Sequence, residues 1–400
     1  MNTPSPFIGK TVGVFFGGKS PEHDVSIITG LLVLDELAKL GILSEPIYIG
    51  TDGAWCMGQL LRERSFLQGI HSHDLYPLQR WSLDTRHRTP RLILTRRPSF
   101  LSRREQKIID IAFPVFHGAY GEDGCFQGLC ETLGVPYVGC GVEGSAIAMN
   151  KILTKQFFQQ HGVQTTPFVG FSEADWKSDA NSIKRRINET LTFPVFVKPS
   201  HAGSSIGISR VKKLEAIEEA IEASFEFDTH CVIESGISPV RDLTCCVREC
   251  ASSSPKASLV QDSSFGKSEF FTYKEKYLQS DGTHLDGAGE SFTIPAEIPV
   301  ATSKNIQETS VAIFKELGLS GISRVDFLYN PETSQLYANE INPMPGTLYE
   351  HLWKKSGVEP KELILDLLDV AIRKHTETIK KNKYFHSPLL SDMQGQKLSK

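Results

Sequence analysis

Short apolar runs alternate with amphipathic segments through the first third of the chain. "TVGVFFGG" (residues 11–18) is almost wholly apolar and stops on two glycines, the pattern of a strand buried on both faces. "DVSIITGLLVLDELAKLG" (24–41) repeats its apolar positions every three or four residues and ends on glycine, which predicts an amphipathic helix. "EPIYIG" (45–50) and "IIDIAFPVFHG" (108–118) predict two further strands. Strand–helix–strand alternation argues for a parallel α/β sheet, with ligands at the carboxyl ends of its strands. Residues 59–107 interrupt this order. They are rich in Arg and His, mixed in polarity, and read as an insertion with a solvated surface.

From about residue 140 the pattern changes. One helix is predicted over "GSAIAMNKILTKQFFQQHG" (144–162), ending on Gly162. "TTPFVGF", a long polar connection and the strand "FPVFVKP" follow, then a Gly/Ser loop, the helix "LEAIEEAIEASFEF" and the strand "HCVIES". After residue 240 the strands lengthen and look antiparallel: "DLTCCVREC", "KASLVQ", "ISRVDFLYN" and "QLYANEIN". The helix "PKELILDLLDVAIRKHTETIKK" completes the body, and the last twenty or so residues read as a loose tail.

Composition narrows the class. Four hundred residues exceed one ordinary core, so two or three domains are expected. With 40% hydrophobic and 22% charged residues and a net charge of −4, the chain reads as folded and soluble, without the basic excess that nucleic acid requires. The opening "MNTPSPFIGK" lacks a signal-peptide core and no apolar run reaches membrane-spanning length, which sets a cytoplasmic expectation. Eight cysteines without a CxxC pair read as reduced, buried thiols.

Four groups of residues carry candidate chemistry. In "SRVDFLYNPETSQLYANEIN" (323–342) the turn signal "NPETS" predicts a hairpin. With the turn centred near Thr333, Asp326 falls opposite Glu340 and Arg324 opposite Asn342. Strand alternation puts these four on one face, and Val325, Phe327 and Ile341 on the other. Carboxylates directly opposite repel. A divalent cation between them removes the repulsion, and oxygen ligands select Mg2+ or Mn2+; a solvated face neutralised by the arginine is the alternative.

The second group is "VFVKPSHAGSSIGISRV" (195–211). Lys198 ends an apolar strand, and the glycines and serines after it can turn backbone N–H groups and hydroxyls onto a phosphate, though ordinary Gly/Ser turns look the same. No GK[ST] follows, so it is not a Walker A loop. The third group places Glu22 in "FGGKSPEHDVSIITG" and His117 in "VFHGAYGEDGCFQG" at one edge of the first sheet. They suit the ammonium of a small zwitterion, or else a helix-capping network of Ser20, Glu22 and Asp123. The glycines do not form GxGxxG, which argues against a dinucleotide. In the fourth, "EFFTYKEKYL" (269–278), Lys276 and Tyr277 lie either on a loop over a site or on an exposed amphipathic turn.

Taken in order, "GGKSPEHDVS", "HGAYGEDGCFQG", "VKPSHAGSSIGIS", "KEKY", "RVDF" and "NEINPMPG" closely resemble the D-alanine–D-alanine ligases of the ATP-grasp superfamily, from about residue 11 to 375. The resemblance implies an N-terminal parallel α/β domain over 1–139 with its insertion at 59–107. A two-lobed ATP-grasp fold would follow, its central lobe at 140–239 and its catalytic domain at 240–378, then the tail at 379–400. It implies ATP with two Mg2+ or Mn2+ ions, D-alanine substrates, and no nucleic-acid or membrane partner; such ligases are often homodimers. Lys151, Lys198, Ser205 and Lys276 would contact the nucleotide, with Glu234 and Ile237 at the adenine and Asp242 at the ribose, where the family usually has Glu. Asp326, Glu340 and Asn342 would carry the metal ions. Glu22 and His117 would hold the first substrate, Arg324 would stabilise charge on the carboxyl oxygens, and Ser204 with Tyr277 would tie two loops shut.

One motif departs from the family. After Gly346 the family carries a short loop with a serine that holds the second substrate's carboxylate. Here "PGTLYEHLWKKSG" is shorter and has no serine between Gly346 and Trp353. Thr347, Tyr349 and His351 are the available donors. D-alanine as acceptor is the first expectation, and another amino acid, hydroxy acid or amine the alternative.

Overall fold

The computed structural model describes residues 7, 9–70, 78–86, 91–97, 103–250, 253–263 and 292–381. The first sheet comprises β1 (Val12–Gly17), β2 (Ser44–Ile49), β3 (Trp55–Met57), β4 (Gln79–Leu83), β5 (Leu92–Arg96), β6 (Glu105–Ile109) and β7 (Ile111–Pro114), in the order β6-β5-β4-β3-β2-β1-β7. β2, β1 and β7 are parallel, as the strand–helix–strand pattern requires, and helix His23–Lys39 supplies the crossover from β1 to β2. β1 ends at Gly17, whose φ is +91° and where a Cβ would stand 2.4 Å from the Ile49 carbonyl oxygen, so only glycine lets the chain leave the sheet there.

The segment expected to be a solvated insertion extends this sheet instead. β3 to β6 add antiparallel strands at its open side. Trp81, Leu92 and Leu94 bury against Phe15, Ile47 and Phe126, while Arg80 and Arg91 turn outward onto Asp52 and Asp110 and the half-buried Arg96 pairs with Glu105. Arg80 alternates with the buried Trp81 as a strand requires, whereas Arg96 shares its face with Leu92 and Leu94 and lies over the Trp81 ring, so the segment's charge hides a strand pattern that alternates only in part.

The second sheet contains β8 (Phe168–Ser172), β9 (Val195–Pro199), β10 (Ser209–Val211) and β11 (His230–Ser235), antiparallel in the order β10-β9-β11-β8. The third holds β12 (Arg241–Cys250), β13 (Ser253–Asp262), β14 (Ile322–Tyr329) and β15 (Leu336–Asn342), antiparallel in the order β13-β12-β14-β15. Helix Pro360–Ile379 returns to the first sheet. Its Leu367 and Leu368 share a core with Val12, Phe16, Leu34 and Leu37, so both ends of the described chain close one apolar cluster.

Three expectations need correction. The helix over 144–162 is two, Val142–Met149 and Lys151–Gln160, divided at Asn150. Asn150 leaves helical geometry, and its Oδ1 accepts from the N–H groups of Ile152 (3.0 Å) and Leu153 (3.1 Å), which caps the second helix. The polar connection before β9 is helical over Glu173–Thr190 with a kink at Asp179 (φ −151°, ψ 73°), begun by a Ser172–Asp175 capping box and anchored chiefly by Trp176, Ile183 and Ile187. So narrow an apolar stripe hides in a polar sequence. All eight cysteines are free, but Cys125 is exposed at a helix start, unlike the seven buried ones.

Asn150→Ala removes the cap from the helix that begins with Lys151. Chemical denaturation should show a loss of about 1 kcal/mol, and an unchanged midpoint would deny the cap its role.

Candidate functional site

The hairpin of β14 and β15 pairs Arg324 with Asn342 and Asp326 with Glu340, as expected, although a bulge between Asp326 and Phe327 shifts the register nearer the turn, where Tyr329 pairs with Leu336. Asn330 begins that turn, its Oδ1 accepting from the N–H groups of Glu332 (2.9 Å) and Thr333 (3.0 Å). Val325, Phe327 and Ile341 fill the core behind. On the front face Arg324 forks onto Asp326: Nε lies 3.0 Å from both carboxylate oxygens, and Nη2 lies 2.7 Å from Oδ2. Thr244 donates to Asp326 Oδ1 at 2.8 Å. Glu340 faces two cations, with Lys151 Nζ at 3.7 Å and Arg324 Nη2 at 4.0 Å. Burial works against the Arg324 charge, but Asp326 outweighs it and holds the guanidinium pKa well above its ordinary value. Asn342 accepts from Met344 N–H at 2.9 Å and keeps a second lone pair on the same oxygen. Asp326, Glu340 and Asn342 thus form an all-oxygen donor set, which suits a hard divalent cation.

A lysine cluster adjoins this face. Lys198 on β9 and Glu234 on β11 form an ion pair, and Lys155 Nζ sits 2.6 Å from the other Glu234 oxygen. Thr166 donates to that oxygen at 3.0 Å. Burial opposes ionisation of Glu234, yet Lys155 and Lys198 overcome it and keep the carboxyl far below the usual range. Burial lowers the Lys155 pKa despite Glu234. For Lys198 burial loses to Glu234, and its pKa is raised. Two lysines against one carboxylate leave positive charge for an anion. Lys151, one helical turn before Lys155, donates to the Ala202 carbonyl at 2.6 Å, at the root of the Gly/Ser loop. Asp242 lies near enough for its field to act on Lys198, and Ile237 is half-buried just past β11. Lys155 lies four residues after Lys151 on one helix face, a spacing already visible in the sequence.

The Gly/Ser loop reaches across to the first sheet. Ser204 donates to Glu22 Oε1, and a Cβ on Gly203 would lie 2.6 Å from Glu22 Oε2. Ser204 and Ser205 hold left-handed backbone angles, φ 51° and 60°. His117 is buried, with Nε2 3.0 Å from Thr29 Oγ1 and Nδ1 3.9 Å from Glu122 Oε1. Glu122 accepts from Gly118 N–H at 2.6 Å; burial pushes its carboxyl up, while His117 pulls it down. A Cβ on Gly118 would meet Glu22 Oε2 at 3.2 Å, so the Glu22 and His117 segments converge. The capping alternative holds for Asp123, which accepts from Cys125 N–H at 3.0 Å, whereas Glu22 makes no side-chain cap. Nothing in the spacing of Glu122 or Thr29 marks them as site residues, because only the fold buries them.

After Gly346 the backbone makes a left-handed turn: φ is 48° at Thr347, 52° at Leu348 and 52° at Tyr349. Such angles cost roughly 1 kcal/mol or more per residue, so contacts must hold them. Leu348 is fully buried, and Thr347 N–H donates to Thr29 Oγ1 at 2.9 Å. The Tyr349 ring lies 5.1 Å from the Arg324 guanidinium carbon. Burial pushes the Tyr349 hydroxyl up to about 12. His351 lies 2.7 Å from Gln261 Oε1 through Nε2 and stacks on Phe292. A Cβ on Gly346 would come 3.2 Å from Val25 Cγ1. Lys276 and Tyr277 lie outside the described residues.

Glu234→Gln leaves two buried lysines without their counter-charge and should cost about 3–5 kcal/mol at neutral pH. Because the folded-state pKa is depressed, the Glu234 contribution is complete above about pH 4.5 and is lost as pH falls below it. Urea midpoints across that range should fall toward acid in the parent and flatten in the variant; parallel curves would deny the linkage.

Residues 11–140 match the family description D-ala D-ala ligase N-terminus, and residues 157–369 match D-ala D-ala ligase C-terminus. The D-alanine--D-alanine ligase of Pseudarthrobacter chlorophenolicus is 35% identical, covering 91% of this chain and 94% of its own. That of Acetivibrio thermocellus is 34% identical, covering 93% and 98%. Among solved structures, the D-alanine-D-alanine ligase from Coxiella burnetii superposes with a TM-score of 0.75 at 25% identity, covering 96% of this chain and 98% of its own. The VanG D-Ala:D-Ser ligase from Enterococcus faecalis does so at 0.73 with 28% identity, covering 90% and 99%. With both halves matched and about a third of its residues shared with such relatives over most of its length, the chain belongs to the D-alanine–D-alanine ligase family.

Proposed function

We propose that this chain uses ATP to join two D-alanines into D-alanyl-D-alanine, a peptidoglycan precursor, through an acyl phosphate. The observation that carries the reading is the front face of β14 and β15, where Arg324, Asp326, Glu340 and Asn342 stand together beside Lys151. The relatives' names favour D-alanine as second substrate over a different acceptor.

Lys151 and Lys198 hold the nucleotide phosphates as point charges, with the Ser204 and Ser205 hydroxyls over them. Glu234 and Ile237 line the adenine, and Asp242 takes the ribose. Asp326, Glu340 and Asn342 hold two Mg2+ or Mn2+ ions; when bound, these ions neutralise charge on the transferring phosphoryl group. Glu22 receives the ammonium of the first D-alanine, with His117 beside it. That substrate's carboxylate oxygen attacks the γ-phosphorus and ADP leaves. The amine of the second D-alanine, lying toward Gly346, then attacks the acyl carbon, and the tetrahedral intermediate expels phosphate. Arg324 opposes the negative charge that grows on the carboxyl oxygens. Contact of the Ser204 loop with Glu22 supports closure over the acyl phosphate, which water would otherwise consume. Lys276 and Tyr277 join that closure on the strength of the resemblance alone.

We also read residues 1–139, 140–239 and 240–378 as three domains of a cytoplasmic homodimer without nucleic-acid or membrane partners. The net charge of −4 supports the first exclusion. Among the described residues no helix is long and apolar enough to cross a membrane.

Incubation with ATP, Mg2+ and D-alanine should yield one ADP, one phosphate and one dipeptide of two D-alanines per turnover by mass spectrometry; a product lacking the second D-alanine overturns the reading. Arg324→Ala should cut turnover by about 10²–10³-fold while ATP binding stays within a few-fold, as loss of a charge-stabilising donor requires. Near-normal turnover would take Arg324 out of its role. Thr29→Val removes the hydroxyl shared by His117 and Thr347 and should lower kcat/KM about tenfold, with Thr29→Ser close to the parent. Equal losses in both variants would make Thr29 a packing residue.

A further inference from the structure

The foot of the Gly/Ser loop holds a side-chain cluster that the ligation chemistry does not use. His201, Asp228 and His230 each offer one donor atom, and these atoms all lie within 4.8 Å of one another. His201 Nδ1 is 2.8 Å from Asp228 Oδ2, and the two imidazoles meet edge to face with centroids 5.9 Å apart. We propose that His201, Asp228 and His230 form a binding site for a borderline transition-metal ion of the Zn2+ class, which fastens the Gly/Ser loop to β11.

The chemistry of the donors sets the class. Two imidazoles and one carboxylate suit Zn2+ and its neighbours, not Mg2+, and three protein ligands leave one position for water. The backbone already holds the ligands in place. Asp228 Oδ2 accepts from His201 N–H at 2.7 Å and Oδ1 from His230 N–H at 3.1 Å, so one carboxylate is fixed against the backbones of both histidines. Thr229 Oγ1 lies 3.1 Å from His230 Nδ1, a contact that biases the ring toward ligation through Nε2. Two ligands of a tetrahedral zinc ion stand about 3.3 Å apart, so the His201–Asp228 contact must open by roughly half an ångström, within reach of a side-chain rotation.

Position makes the site consequential. Ser200 N–H donates to the His230 carbonyl at 3.0 Å, so His201 leaves β9 directly above the start of β11. At the other foot of the loop a Cβ on Gly207 would lie 2.7 Å from Phe227, next to Asp228. A bound ion therefore clamps one end of a segment whose other end already rests on the same strand lead-in, and the loop's Ser204 reaches Glu22. Metal binding itself does not depend on the ligase reading; only its effect on loop closure does.

The test uses the full chain, stripped with chelator and titrated with Zn2+ in excess Mg2+ against a chromophoric zinc chelator. One equivalent should bind, and His201→Ala and His230→Gln should each weaken it by about tenfold or more, since losing a ligand costs at least what losing a ligand's supporting contact does. Co2+ in place of Zn2+ should give the visible bands of a four-coordinate ion, and hydrogen exchange of the amides at 201–207 should slow with metal. Circular dichroism melts of the variants separate ligand loss from misfolding, and His230→Gln keeps a polar side chain at its position. Absence of stoichiometric binding overturns the proposal. So does zinc that survives both histidine substitutions but is lost in Glu340→Gln, because the ion would then sit at the oxygen site on β15.

Discussion

Two carboxylates, Asp326 and Glu340, face each other across paired strands, and most of the site follows from the need to keep cations beside them. Like charges at that spacing weaken a sheet unless something neutralises them. Arg324 supplies one answer from two residues away on the same strand, with a fork that only planar guanidinium geometry allows. Lys151 supplies the other, and it can do so only because Asn150 ends one helix and starts the next at that point. The register that opposes the acids also drives Val325, Phe327 and Ile341 into the core, so a slip of one residue would lose both site and packing.

The same economy recurs behind the hairpin. Glu234 is buried and ionised because two lysines share it, and those lysines come from different elements, one helix and one strand. Removing Glu234 leaves two lysines without a counter-charge in a dry environment, whereas removing either lysine leaves one matched pair. Its surplus positive charge points to an anion, and the Gly/Ser loop begins immediately beyond Lys198.

The turn after Gly346 shows how packing sustains an unfavourable backbone. Three successive left-handed residues persist because Leu348 is locked in the core shared by the chain's two described ends, Thr29 bonds the Thr347 amide, and Tyr349 lies against Arg324. Thr29 in turn touches His117, so the segment after Gly346 is tied to the loop that follows β7 of the first sheet.

Local pattern alone determined what depends on neighbours in sequence: the β14–β15 hairpin with Asp326 opposite Glu340, the crossover helix after β1, the glycine and serine loop after Lys198, and through their order the family. These follow from turn chemistry and side-chain period, which act over a few residues. Tertiary structure decided the rest. The arginine-rich segment joined a sheet because its alternate residues found Phe15 and Ile47 to pack on, and a polar stretch became a helix because three apolar side chains found a core. Lys155 and Thr29 acquired Glu234 and Thr347 as partners only when segments as far as 318 residues apart were brought into contact, and Glu122, bonded within its own loop, was buried only by the fold. Burial and electrostatic partnership depend on distance in space, and no spacing along a chain encodes that for residues so far apart.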